Sequence, residues 1–206
     1  MKRKIIGILA LAVLALSVGI YYHYANQPKN IFDEIYQETQ KTYQSNNILG
    51  NIKGFDIDNI WPTDDSNIVK TPFGTYNKKS IQGTYHNVSI DFNFKKKYET
   101  LLISFETRVS SNANIWILSK YNSRSKVLTK TVQIILENGN HDKYIDNESE
   151  VKSYLKKYGI TTKDLDGYYD KIVNQKVLKD WCSIYDSKFS PEDYGDVTVK
   201  TQWENW

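Results

Sequence analysis

The chain opens with an unbroken apolar stretch, passes to helical spacing, then to strict alternation, and returns to helical spacing. Residues 5–22 hold no charged side chain. As a helix they would extend roughly 27 Å, close to the hydrocarbon thickness of a bilayer. Residues 27–30 form a short tether in which Pro28 ends any continuous helix. Ile31, Phe32, Ile35, Tyr36 and Thr39 then follow helical spacing to about Ser45. Asn30 is placed to cap that helix, and Asp33 and Glu34 suit its positive end.

From residue 48 to about 136 the period becomes two. Ile90, Phe92 and Phe94 alternate with Ser89, Asp91 and Asn93. Leu101, Ile103, Phe105 and Val109 alternate with Leu102, Ser104, Glu106 and Arg108. Residues 114–120 and 127–136 predict two further strands, the last rich in β-branched side chains. The links at 95–97, 110–112 and 121–125 are short enough for hairpins, which predicts an antiparallel meander. Gly139 and Asn140 close this block. Residues 148–158 predict a helix stopped by Gly159, and Thr162 is placed to cap a longer one. That helix carries Leu165, Tyr168, Tyr169, Ile172, Val173, Val177, Leu178 and Trp181 on or near one face. Pro191 and Gly195 break the chain before a last strand with Val197, Val199 and Thr201. The fold class is α+β: an N-terminal membrane helix, then an antiparallel sheet of about five or six strands packed with helices. Residues 1–26 read as an anchor or signal segment, and 27–206 as a single extracytoplasmic domain.

Charge sharpens the first element. The chain has 27 basic and 24 acidic residues, a formal excess of +3. Lys2, Arg3 and Lys4 account for that excess, so the remainder is balanced. Such a body lacks the broad basic surface that nucleic-acid binding requires. Cations before the apolar run and Tyr21, Tyr22 and Tyr24 after it are the flanks of a single-span anchor with its N-terminus inside. The competing reading is a cleaved signal, with small residues at Ala15 and Ser17. Both readings place the body outside the cytoplasm, at the cell membrane in the first case. No cysteine follows the apolar run, so a lipoprotein anchor is excluded. Cys182 is the only cysteine in the chain, which allows no intrachain disulfide.

The balanced body is also divided. Residues 31–69 carry seven acids and two bases, 70–130 eleven bases and three acids, and 131–206 fourteen acids and ten bases. The basic strand block can be compensated internally by helix carboxylates, or it can offer a charged face to a macromolecular partner.

Catalytic chemistry finds little support. His86 and His141 are the only histidines beyond the membrane flank, and neither sits in a paired-histidine metal motif. Cys182 follows Trp181 on an apolar helical face and reads as packed core. GxSxG, GxxxxGK[ST] and GxGxxG are absent. Asp56-Ile57-Asp58-Asn59 resembles the start of a calcium loop, but Ile60 and Trp61 occupy positions that need a ligand and a glycine. Asp64-Asp65 and Asp164-Leu165-Asp166-Gly167 are more simply a turn and a helix start. No metal, cofactor or catalytic residue is therefore assigned. A carboxylate-dependent surface enzyme and an accessory part of an export machine stay open as alternatives. The candidate site is the polar face of the sheet: Ser89, Asp91 and Asn93 on one strand, Ser104, Glu106 and Arg108 on the next, continued by Thr129, Thr131 and Gln133. Mixed polar and aromatic surface of this kind suits protein recognition.

Four features together resemble the TipC family of immunity proteins from streptococci and relatives. They are the basic N-terminal anchor, Asn30-Ile31-Phe32-Asp33-Glu34-Ile35-Tyr36, the strand block, and Tyr194-Gly195-Asp196-Val197-Thr198-Val199-Lys200 with Trp203 beyond it. The resemblance implies a protective protein displayed outside the membrane. Its partner would be a cognate secreted toxin of the TelC-like LXG type, exported by type VII secretion and directed at lipid II. Neutralisation would occur by occlusion of the toxin's active region.

Overall fold

The computed structural model describes the backbone of residues 2–44, 68–71, 74–77, 85–139 and 141–206, and the side chains of residues 11–41, 90–139 and 141–206. The apolar run lies within α1 (Lys2–Ala25), and every side chain from Leu11 to Asn26 is exposed. Leu11 is 71% exposed and Tyr21 74%, so the described part of this helix, from Leu11 on, does not pack against the body. Among the described residues no helix is long and apolar enough to cross a membrane. The helix expected over 5–22 is thus present, while the spanning role expected of it finds no support there.

α2 (Ile31–Gln44) starts at Asn30, whose Oδ1 accepts from the Asp33 N–H at 2.8 Å and so caps the first turn. Ile31, Phe32, Ile35, Tyr36 and Thr39 are all buried, as their spacing predicts. Phe32 stacks on Tyr121 at 5.7 Å and meets Tyr194 edge-on at 5.1 Å.

The sheet has eight strands among the described residues: β1 (Ile68–Thr71), β2 (Gly74–Asn77), β3 (Tyr85–Asn93), β4 (Thr100–Ser110), β5 (Ala113–Asn122), β6 (Val127–Leu136), β7 (Lys143–Ile145) and β8 (Thr198–Thr201). The first seven pair antiparallel in chain order, as the short links predict. The expectation of a purely antiparallel sheet of five or six strands needs correction. β8 joins β6 in parallel, because the chain returns to the sheet across a helical layer and not through a hairpin. The alternation expected between residues 48 and 67, and the calcium-like Asp56 to Asn59, lie outside the described residues.

One face of β3 to β6 carries Ile90, Phe92, Leu101, Ile103, Phe105, Ile115, Ile117, Leu128, Val132 and Ile134, all buried. The helices cover this face. α3 (Glu148–Lys157) is capped by Asn147, whose Oδ1 accepts from the Ser149 and Glu150 N–H groups. α4 (Thr162–Tyr169) is capped by Thr161, one residue before the expected Thr162, because Thr161 and Asp164 form a reciprocal capping box. α4 runs into wide i→i+5 turns over Asp170–Leu178 and then into α5 (Lys179–Tyr185). Leu165, Tyr169, Val173, Val177 and Trp181 are buried at intervals of four residues. On a continuous 3.6-residue helix such a row drifts around the axis; wider turns in the middle bring it back toward the sheet.

Two buried tryptophans tie these layers through their single polar atom. Trp181 Nε1 donates to Glu34 Oε1 at 2.7 Å, joining α5 to α2. Trp203 Nε1 donates to Asp166 Oδ1 at 2.9 Å, joining the C-terminal turn Gln202–Asn205 to α4.

Candidate protein-binding face

The opposite face of the sheet is built in cross-strand rows. Ser89 pairs with Ser104, Ser104 with Leu118, and Leu118 with Thr131. Asp91 pairs with Leu102, Leu102 with Lys120, and Lys120 with Thr129. Glu106 pairs with Trp116 and Trp116 with Gln133; Arg108 pairs with Asn114, Asn114 with Ile135, and Ile135 with Tyr144. Asn93 pairs with Thr100 at the end of the same face. The register therefore gathers all nine candidate residues on one side of the sheet, away from the helices.

Their exposure is uneven. Arg108 is exposed, Asp91, Asn93, Glu106, Thr129, Thr131 and Gln133 are half-buried, and Ser104 is buried at 2%. Nor is the face purely polar: Leu102, Leu118 and Trp116 are half-buried on it, and Ile135 is buried. Trp116 meets the exposed Tyr144 with ring centroids 6.0 Å apart. Large amphipathic rings beside half-buried aliphatics are what protein interfaces favour at their centres. Alternation sets Leu102 on the outer row; the residues it misses are Trp116, Leu118 and Ile135. β5 carries aliphatic or aromatic side chains on both faces from Ile115 to Leu118, so its own pattern does not say which side turns outward.

At one end of the face lies a depression of about 530 Å³, lined by Asp91, Phe92, Asn93, Thr100, Leu102, Leu118, Lys120, Thr129 and Thr131. Its apolar members are ringed by hydroxyls, a carboxylate and the Lys120 ammonium. At the other end the polar groups are engaged with one another. Arg108 Nη2 donates to Glu137 Oε1 at 2.7 Å and Arg108 Nη1 to Ser111 O at 3.1 Å. Asn114 Nδ2 donates to Glu137 Oε1 at 2.9 Å and to Glu106 Oε2 at 3.2 Å. Glu106 and Arg108 are thus two members of one local network.

The groups whose ionisation the fold shifts sit on the helical side. Burial pushes the Tyr36 and Tyr185 hydroxyls up to about 12, and raises Tyr121 and Tyr169 as well. Burial also raises the Cys182 thiol, whose Sγ donates to Phe189 O at 3.4 Å. That environment suits packing and works against a thiolate nucleophile. Among the described residues no three His, Cys, Asp or Glu side chains come together to hold a metal ion. The arrangement favours shape and hydrogen-bond recognition over a wide surface.

The strand-block charge is compensated in part. Lys126 Nζ reaches Asp33 Oδ1 of α2 at 2.7 Å. Lys130 lies 3.7 Å over the Tyr169 ring, with burial lowering its pKa and Asp166, Glu204 and Asp170 opposing that.

A family model described as TipC immunity protein-like matches residues 3–202 of this chain. The chain is similar to the solved structure of TipC2 from Streptococcus intermedius B196, with 52% identity and a TM-score of 0.73. That likeness covers 88% of this chain and 99% of the other. No curated protein matches it.

Proposed function

The chain belongs to the TipC immunity protein-like family, and from that premise we propose that it binds a cognate secreted antibacterial toxin outside the cytoplasm. The outer sheet face covers the toxin's active region, and protection comes from occlusion without catalysis. The observation that carries this reading is the row structure of that face. It sets Leu102, Leu118 and Trp116 among hydroxyls and charges on a rigid four-strand platform. A preorganised face of this kind loses little conformational entropy on binding.

The toxin class implied by the family resemblance is the TelC-like LXG type, exported by type VII secretion and acting on lipid II. α1 holds the body at the outer side of the cytoplasmic membrane, with Lys2, Arg3 and Lys4 inside. The side chains of α1 from Leu11 to Tyr22 are apolar or aromatic except Ser17 and all exposed, and such a surface has no stable place in water. Tethering at the site of damage raises the effective concentration of the protective domain.

The test is affinity capture with the tagged full chain from a strain that exports such toxins, followed by titration of the captured toxin. A saturable complex that blocks the toxin's activity is expected. Recovery of no toxin, or a complex that leaves its activity intact, contradicts occlusion.

A further inference from the structure

Among the described residues, four cations of the basic strand block that make no ion pair gather at one end of the sheet. Lys95, Lys96 and Lys97 are exposed in the turn between β3 and β4, and Arg124 is exposed in the turn between β5 and β6. The two turns are fastened side by side: Ser123 N donates to Glu99 O at 2.9 Å, and Asn122 Nδ2 to Tyr98 O at 3.0 Å. None of these four cations makes an ion pair among the described residues; of the acids nearby, Glu99 is half-buried and Asp33 is buried against Lys126, while Asp196 is exposed beside Lys29. Tyr98 is 47% exposed in their midst.

This is also the end of the body that α1 joins. Lys29, at the foot of the tether, donates its backbone N–H to Asp33 Oδ2 at 3.3 Å. The other oxygen of Asp33 holds Lys126, the last residue of the β5–β6 turn, at 2.7 Å. The tether is therefore linked through one carboxylate to the turn that carries Arg124. From Leu11 on, the side chains of α1 are exposed, Tyr22 and Tyr24 among them at the end next to the tether.

We infer that this basic tip docks on an anionic phospholipid surface, seating the body against the membrane that α1 enters; the inference rests on the anchored reading above. Exposed cations within a Debye length of anionic headgroups are attracted to them, and tyrosine rings settle at headgroup depth. Two attachments, a helix and a charged tip, fix an orientation that a flexible tether alone would leave free. β4 then rises away from the lipid, and Arg108, eight residues beyond Thr100, stands about 26 Å further out. The outer face is thereby held upright beside the bilayer, open to a partner arriving along the membrane.

The test places the full chain in lipid nanodiscs of phosphatidylcholine, alone or mixed with phosphatidylglycerol, with a lipid-borne nitroxide quencher. A fluorophore is attached through Ser125→Cys in the basic tip or Ser111→Cys at the far end, each in a Cys182→Ser background. Quenching at position 125 is expected to be at least about twofold stronger in anionic than in neutral discs, and to fade with added salt. Position 111 is expected to stay unquenched. Reversal of Lys95, Lys96, Lys97 and Arg124 to Glu should bring position 125 to its neutral-disc level, with the unfolding midpoint unchanged. Equal quenching at both positions, or indifference to phosphatidylglycerol, overturns the docking and leaves anchorage standing. Release of the chain from the discs by alkaline carbonate overturns anchorage and the docking with it. A reversed variant that keeps its lipid contact but loses toxin binding assigns the tip to the partner and overturns the proposal.

Discussion

The side-chain amide of Asn30 donates a 3.1 Å hydrogen bond to the hydroxyl of Tyr121, and neither side chain reaches solvent. The same amide donates to Asp196 O at 2.8 Å, while its oxygen caps α2. Ile31 N donates to Tyr194 O and Asp196 N to Lys29 O, both at 2.8 Å. The two segments that carry the family resemblance, 30–36 and 194–200, therefore meet in one joint, buried on the Asn30 side and open to solvent at Gly195 and Asp196. The choices of Asn30 and Gly195 are explained by holding the helical layer to the sheet, without partner contact.

Asn30→Ala removes a helix cap and leaves the buried Tyr121 hydroxyl without its donor. A loss of about 2–4 kcal/mol is expected from these two effects. Asn30→Asp restores the cap alone and sets a second carboxylate near Asp33, so it should remain destabilised. Urea unfolding of both variants reads the difference, and wild-type stability in Asn30→Ala would remove the joint from this account.

Gly195 pairs with Asn30 in that joint at a φ of 87°, in the left-handed region. A Cβ there would lie 2.5 Å from the Phe189 ring and 2.7 Å from Lys29 O. Gly195→Ala combines backbone strain with a clash against main chain, and about 2–4 kcal/mol of destabilisation is expected. A thermal melt checks it; an unshifted midpoint would show that the joint relaxes freely.

Stability should fall in alkali. The Tyr36 and Tyr185 hydroxyls, raised to about 12, hold their protons in the folded state where the unfolded chain, near 10, begins to lose them. Their contribution is complete below pH 10 and is lost as pH rises through about 12. Tyr121 and Tyr169, also raised by burial, act in the same sense. Lys130, lowered by burial, opposes this below its ordinary value of 10.5. Unfolding free energies measured from pH 9 to 12 should decline beyond about 10, less steeply in Tyr36→Phe with Tyr185→Phe. Equal slopes would exclude those two hydroxyls.

Binding should respond to the depression more cleanly than to the charged pair beside it. Reversing Glu106 and Arg108 disturbs the Asn114–Glu137 network, so a loss of affinity would be mixed with local rearrangement. Lys120 is exposed, and Thr131 is half-buried on the rim. Thr131→Arg or Lys120→Glu should weaken toxin binding by at least about tenfold while changing stability by about 0.5 kcal/mol or less. Unchanged affinity in both would move the interface off this face.

Removing residues 1–26 should leave the melting midpoint of the body unchanged, since Leu11 to Asn26 pack against none of it. Protection of cells exposed to the toxin should nevertheless drop, because effective concentration at the membrane is lost. Full protection by the truncated chain, retained in the cytoplasm, would contradict the proposed location.

Local pattern determined much of the architecture. Helical spacing from Ile31 to Thr39 and alternation along β3 and β4 each report a buried face directly, because burial on one side imposes the period of the element. That same alternation placed Asp91, Asn93, Glu106 and Arg108 on the side away from the core. Other features depended on partners distant in sequence. Whether Trp116 and Leu118 or Ile115 and Ile117 turn toward the helices is settled only by register with β4 and β6, since both sets are apolar. Ser104 is buried on the polar face and Thr107 on the apolar one, a pattern that no single strand could announce. The parallel return of β8, the wide turns at 170–178 and the joint of Asn30 with Tyr121 and Asp196 are decided by the closing of layers. The periodicity of one element says which side is buried; what it is buried against is a property of the assembled layers.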